Sequence, residues 1–438
     1  MHQRETTRVL PPRFLAVGTE RGLGMKTYLL LAASLVAVVT ACGTSGVFAP
    51  TDASVVADAT NTDASVADAD ASAVDASTVS PLSISSGKYH TCALLEGNSV
   101  KCWGFNGSGQ LGLGDTSNRG DNANEMGDKL PKVDLGTGRT AKAISLSVHH
   151  ACAILDDDSV KCWGQNIYGL LGLGDVKGRG ESANEMGDKL PKVDLGTGRT
   201  AKAISTGYLH TCALFDDNSV KCWGYNGHGE LGLGDKTDRG DNANEMGDKL
   251  SKVDLGTGRT AKAISTDDDH TCAILDDNSV KCWGYNGSGQ LGLGDTTARG
   301  DNTNEMGDKL SKVDLGTGRT AKAISAACSH TCVVLDDESV KCWGYNGGGE
   351  LGLGNTTVRG DNANEMGNDL PKVDLGAGRT AKALSAACSH TCVALDDESV
   401  KCWGYNDYGQ LGLGDTAARG DDANEMGDNL PKVDLSTK

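Results

Sequence analysis

Cys92 and Cys102 stand ten positions apart in HTCALLEGNSVKCWG (90–104). The same pair returns as Cys152–Cys162, Cys212–Cys222, Cys272–Cys282, Cys332–Cys342 and Cys392–Cys402. Thiols at this spacing can close a disulfide or, with the histidine two positions before the first of them, give three soft ligands to zinc. That histidine recurs as His90, His150, His210, His270, His330 and His390. A ring of histidines would suit catalysis, but no Ser/His/Asp arrangement, P-loop or dinucleotide glycine pattern accompanies it. GQLGLGD (109–115) follows a strand without opening a helix, which leaves phosphate cradling unsupported. The histidines are therefore expected to be hydrogen-bonded structural residues. No catalytic residue is assigned, and the chain is read as a non-enzyme.

The elements that must hold these residues follow from the repeat. Trp-Gly recurs every sixty residues at Trp103, Trp163, Trp223, Trp283, Trp343 and Trp403, without insertion or deletion between copies. Each copy carries short apolar pieces (KAIS, HTCAIL, VKCWG, KVDL) separated by Gly/Asn/Asp/Ser clusters, and no useful amphipathic helix. Four short strands per copy predict an all-β fold, a β-propeller of four-stranded blades over 81–438. A hairpin with Glu96–Asn98 as its loop sets Cys92 opposite Cys102 and Leu94 opposite Val100. Directly opposed cysteines of an antiparallel pair lie within disulfide reach. Each such bond would contribute roughly 2–3 kcal/mol by loop closure. Zinc and reduced thiols are the alternatives. Cys328 and Cys388 occupy equivalent positions of neighbouring copies, with their pairing left open.

The formal charge of −18 disfavours a nucleic-acid partner, since phosphate binding needs clustered Lys/Arg. Residues 1–41 read as a signal segment with the start at Met25: Lys26, an apolar run, then small residues before Cys42. VTAC (39–42) resembles the lipobox of bacterial lipoproteins. That implies a lipidated Cys42, a bilayer anchor and an exported protein of the cell envelope, on the outer membrane or periplasmic side. An ordinary signal peptide with an incidental cysteine is the alternative. Residues 42–80, rich in Asp, Ala and Ser, hold too little apolar surface to fold and read as a tether. Export supplies the oxidising compartment in which paired cysteines persist.

HTCALL…SVKCWGFNGSGQLGLGD resembles the repeat of the regulator-of-chromosome-condensation family, across 81–438. The resemblance implies a β-propeller, of six blades by the copies present or of seven by the family's usual number. The exchange activity of the family's founding member on a nuclear GTPase is not carried over, because an exported chain could not meet that substrate. Exported relatives look like binding proteins, and paired cysteines of the HTCAL…VKCWG type are common among bacterial members.

The copies differ from one another at three places. Before the histidine they carry Lys88 and Tyr89, Val148 and His149, Tyr208, or Asp268. After Trp-Gly they carry Phe105, Gln165 or Tyr225, then Ile167 and Tyr168, His228 or Tyr408. A third patch follows at 116–118 and its equivalents. If strands run up and down, all three patches share one end of the repeat, and these residues form the expected partner-binding face. The loop RGDNANEMGDKLP (119–131) spells an integrin tripeptide, discounted because duplication copies every tripeptide. With Asp115, Asp121, Glu125 and Asp128 it also makes a calcium candidate. No other metal or cofactor is expected. The function expected is non-catalytic recognition of a protein or glycan. The alternatives are a structural envelope protein and, third, a hydrolase or lyase at the channel mouth.

Overall fold

The structure is a computed structural model and describes residues 83–435. The signal segment 1–41, the lipidation candidate Cys42 and the tether 42–80 lie outside the described residues. Short β-branched and small-residue runs between turn formers fold as predicted, but into three strands per copy. In the first unit these are β1 (Ser83–Ser86), β2 (His90–Leu94) and β3 (Val100–Gly104). The second holds β4 (Ala141–Leu146), β5 (His150–Leu155) and β6 (Val160–Gly164). The third holds β7 (Ala201–Thr206), β8 (His210–Phe215) and β9 (Val220–Gly224). The fourth holds β10 (Ala261–Thr266), β11 (His270–Leu275) and β12 (Val280–Gly284). The fifth holds β13 (Ala321–Ala326), β14 (His330–Leu335) and β15 (Val340–Gly344). The sixth holds β16 (Ala381–Ala386), β17 (His390–Leu395) and β18 (Val400–Gly404). Each trio is an antiparallel sheet in sequence order.

The hairpin register matches the cysteine spacing. Cys92 pairs with Cys102 and Leu94 with Val100. Asn98 closes the turn by donating its N–H to the Leu95 carbonyl at 2.9 Å, from a left-handed backbone of φ 59°. Asparagine tolerates that conformation better than most side chains. Across all six hairpins the paired Cα atoms lie 4.1 Å apart, with the two sulfurs at disulfide distance. Cys328 and Cys388 also pair, across the fifth and sixth units, with Cα atoms 4.6 Å apart.

The fourth predicted strand does not form. KVDL (132–135) is held to β3 by the Val133 N–H on the Val100 carbonyl at 2.8 Å. Two of its carbonyls turn to the next unit. Asp134 accepts from the Gly187 N–H at 3.0 Å, and Leu135 accepts from the Lys161 ammonium at 3.0 Å. A segment whose acceptors are shared in this way cannot extend a ladder. It becomes a seam between neighbours, and the same bonds recur along the array.

The core lies between sheets rather than within them. Leu111 of the first unit, Ala151, Ala153 and Leu155 of β5, and Trp163 form one buried cluster, and later joints repeat it. Five tryptophans, from Trp163 to Trp403, are fully buried against the preceding unit, whereas Trp103 is only half-buried. Among the described residues, the outer core of the last sheet (Cys392, Val400, Cys402, Leu411) includes nothing from the first.

The strand-start histidines join consecutive units. The His210 ring nitrogen Nε2 meets Thr271 Oγ1 at 2.8 Å, and that hydroxyl donates to the Glu230 carbonyl at 3.0 Å. Because the threonine proton goes to the carbonyl, His210 Nε2 must carry the hydrogen and donate. Trp283 donates its indole N–H to the same carbonyl at 2.9 Å. The relay recurs from His150, His270 and His330. It fails at the first joint, where Ala151 stands in place of threonine and His90 Nε2 has no partner. Burial lowers the pKa of His210 to about 3, so the ring is neutral, as a donor of this kind requires. The expectation of structural histidines matches this arrangement.

Candidate partner-binding face

One buried asparagine builds each loop after Trp-Gly. Asn226 donates from its amide to the carbonyls of Asp235 at 2.8 Å and Thr237 at 3.2 Å, while its oxygen accepts the Leu231 N–H at 3.0 Å. Asp235 in turn holds Arg239 at 2.7 Å, and equivalents of both pairs occur in other copies. These contacts fix the backbone and leave the intervening side chains free to vary.

The three variable patches do share one end of the unit. Phe105 donates its N–H to the Tyr89 carbonyl at 2.9 Å, and Asn106 donates its own to Asn118 Oδ1 at 3.0 Å. The loop before β2, the loop after β3 and the 116–118 patch are thus stitched together.

Here the named side chains fall into groups. Tyr89 and Phe105 are exposed and meet edge to face with ring centroids 6.2 Å apart, with the exposed Lys88 beside Tyr89. His149 meets Tyr208 at 5.8 Å, and Val148 is half-buried beside it. Tyr168 packs on Tyr225 at 5.1 Å, Tyr225 on His228 at 6.3 Å and His228 on Tyr285 at 5.0 Å. That ladder crosses the second, third and fourth units. Exposed Ile167 lies next to Tyr168, and half-buried Gln165 opens the same loop. Tyr408, 88% exposed, stands apart on the sixth unit with Tyr405.

Sequence reasoning missed several members. Tyr285 and Tyr345 are exposed at the position of Tyr225, and a tyrosine recurring after Trp-Gly was their available signal. It named Asp268 but not the burial of the acidic group around it. Asp267 is buried with one carboxylate oxygen unpartnered, and burial followed by repulsion from Asp268 and Asp269 pushes its pKa well up. Asp268 is pushed up to about 6 by burial and then by Asp269, with Lys88 of the first unit opposing. A titratable cluster therefore exists on this face, although three consecutive aspartates in one copy gave little hint of their burial.

The calcium candidate is not assembled. Asp115 is engaged by Arg119 at 2.6 Å, and Glu125 caps its own turn by accepting the N–H groups of Gly120 and Asn122. The Asp128 equivalent in the second unit, Asp188, accepts from Thr137 of the preceding link at 2.6 Å. Among the described residues, the oxygens of Asp115, Asp121, Glu125 and Asp128 do not converge on one point. The carboxylates hold loops instead of an ion.

The opposite end of the unit is closed by ion pairs. Asp157 in the hairpin turn binds Lys192 at 2.6 Å and Arg139 at 3.0 Å. The Lys192 contact, followed by Ser159, holds its carboxyl well below the usual range. The same pairs recur at Asp217 and Asp277.

Comparison with known proteins accords with this architecture. The family model described as RCC1-like domain matches residues 38–431. The chain is 28% identical over 362 residues to the ultraviolet-B receptor UVR8 of Arabidopsis thaliana, covering 80% of this chain and 69% of that one. It is 28% identical over 326 residues to the mitochondrial RCC1 domain-containing protein RUG3 of the same plant, covering 71% and 66%. Among solved structures, yeast RCC1 (Prp20) bound to Kap60 superposes with a TM-score of 0.61 at 21% identity, covering 81% of this chain and 74% of that one. Human WBSCR16 gives 0.60 at 18% identity, covering 82% of each. At such identities the structures speak for the fold alone. With six sheets in sequence order, tryptophan-sealed joints and this match over most of its length, the chain belongs to the RCC1-like domain family of β-propeller repeats.

Proposed function

We propose that the protein is a non-catalytic recognition scaffold that takes a protein or glycan partner through the loop end of its repeats. The observation that carries this reading is the ladder Tyr168–Tyr225–His228–Tyr285, running across three units on loops held rigid by buried asparagines. Rigid, half-exposed aromatic side chains lose little entropy on binding and bury much area, which is why they dominate recognition hot spots. The test is to graft the loops 146–149 and 165–170 onto the fourth unit and compare captured partners. A changed partner set supports recognition by these loops. An unchanged set favours the second reading, a structural envelope protein.

In this reading the face is displayed outside the cytosol. The lipobox-like VTAC and seven cysteine pairs support an exported lipoprotein anchored through Cys42. A Cys42→Ser variant that stays with the membrane fraction would remove the anchor from the proposal. The chain supplies six blades. Half-buried Trp103 and the unpartnered His390 Nε2 support an array with room for one further neighbour between its ends.

A further inference from the structure

We infer that the loop end carries a divalent transition-metal site, of the kind zinc fills, formed by His228 and Glu230 of the third unit and Asp269 of the fourth. A ring nitrogen of His228 and one carboxylate oxygen from each of Glu230 and Asp269 all lie within 4.8 Å of one another. The His228 Nδ1 to Glu230 Oε1 distance is 3.1 Å. Two ligands of a tetrahedral zinc with bonds of about 2.1 Å would stand about 3.4 Å apart, so this edge needs only a small adjustment. One imidazole and two carboxylates form a mixed N/O set suited to zinc and its neighbours rather than to calcium, which takes oxygen alone.

The other copies serve as internal controls. At the position of His228 they carry Ser108, Tyr168, Ser288, Gly348 and Tyr408, and at that of Asp269 they carry Tyr89, His149, Leu209, Ser329 and Ser389. Only the joint between the third and fourth units combines the three ligand types. Glu230 is not required by the loop. Gln110 and Gln290 take its place in other copies and accept the same backbone N–H at 2.9 Å, from Ser108 and Ser288. Glu230 accepts that bond from His228 at 2.9 Å; the fifth unit's buried Glu350 accepts it from Gly348, so it is the histidine and Asp269 beside the carboxylate, not its burial, that set this joint apart. Half-buried Asp269 adds a second carboxylate with His228 as its facing base. Two desolvated carboxylates beside an imidazole repel each other until a cation joins them. The set shares His228 with the aromatic ladder, but zinc binding can be read without any partner.

The experiment is a calorimetric titration of the full disulfide-intact chain with zinc chloride, without reductant. The account expects one equivalent bound with a micromolar or tighter Kd. The double variant His228→Ser, Glu230→Gln should weaken that binding at least 100-fold. Both replacements are residues that other copies already carry at these positions, so the variant should keep its thermal midpoint. Absence of a zinc heat from the wild-type chain would overturn the assignment, and so would equal binding by the variant.

Discussion

The two ends of each repeat have shared the same duplications and yet differ in kind. At the turn end, Asp157 engages both Lys192 and Arg139, and the same three residue types hold the same places in the next copies. At the loop end, Asn226 and its equivalents hold the backbone while the side chains between them range from Ser108 to Tyr168 to His228. Fixity at the turn end thus has a structural cause in these ion pairs. Freedom at the loop end is what a buried anchor permits, and function must be sought in what fills it.

That contrast can be broken most severely at an anchor. Asn226→Ala would strand the Leu231 N–H and the Asp235 and Thr237 carbonyls inside the loop, at a cost of about 3 kcal/mol. A denaturation midpoint within experimental error of wild type would contradict the anchoring role.

Acid should act on the joints that both ends share. His90, His150, His210 and His330 have pKa values lowered to about 3 by burial, and His270 and His390 to about 4, against 6.5 in the unfolded chain. Between those values the unfolded chain binds more protons, so stability is complete above pH 6.5 and falls as pH drops. The slope is about 1 kcal/mol per pH unit for each histidine. Carboxyls raised by burial, among them Asp267, Asp268 (to about 6), Asp269, Glu230 and Glu350, act with the opposite sign and partly offset the six histidines. A melting midpoint at pH 5 at least ~5 °C below that at pH 7.5 is expected. A flat profile would mean that the histidines are not held neutral.

A smaller effect sharpens the comparison between joints. Ala151→Thr supplies the missing acceptor to His90 Nε2 and a hydroxyl facing the position of the Gln110 carbonyl, as Thr211 does for His150 and Leu170. We expect a gain of about 1 kcal/mol, read as a raised midpoint. The smallest effect lies at the turn end. Glu398 takes the left-handed backbone, φ 63°, that Asn98 and Asn218 fill elsewhere. Glu398→Asn should stabilise by roughly 0.5 kcal/mol and leave partner capture unchanged.

Much of this was readable from residue spacing because the hairpin is local. Ten residues between cysteines and one turn between them dictate that Cys92 faces Cys102. The failure of KVDL to form a strand was not readable, because the acceptor of Lys161 is Leu135 of a different unit. For the same reason the Cys328–Cys388 pairing and the threonine relay appear only once units are stacked. At the site, the variable aromatic positions stood out as differences between copies. Glu230 did not, because nothing local tells a buried carboxylate from an exposed one, and the neighbouring unit that covers it is sixty residues away.

The most direct measurement compares the two ends in one assay: the affinity of the captured partner for a Tyr168→Ala, Tyr285→Ala chain and for an Asp157→Ala chain. The account predicts at least a tenfold loss for the first and none for the second. Equal affinity in the first, or a loss confined to the second, would contradict the claim that the loop end recognises and the turn end only holds.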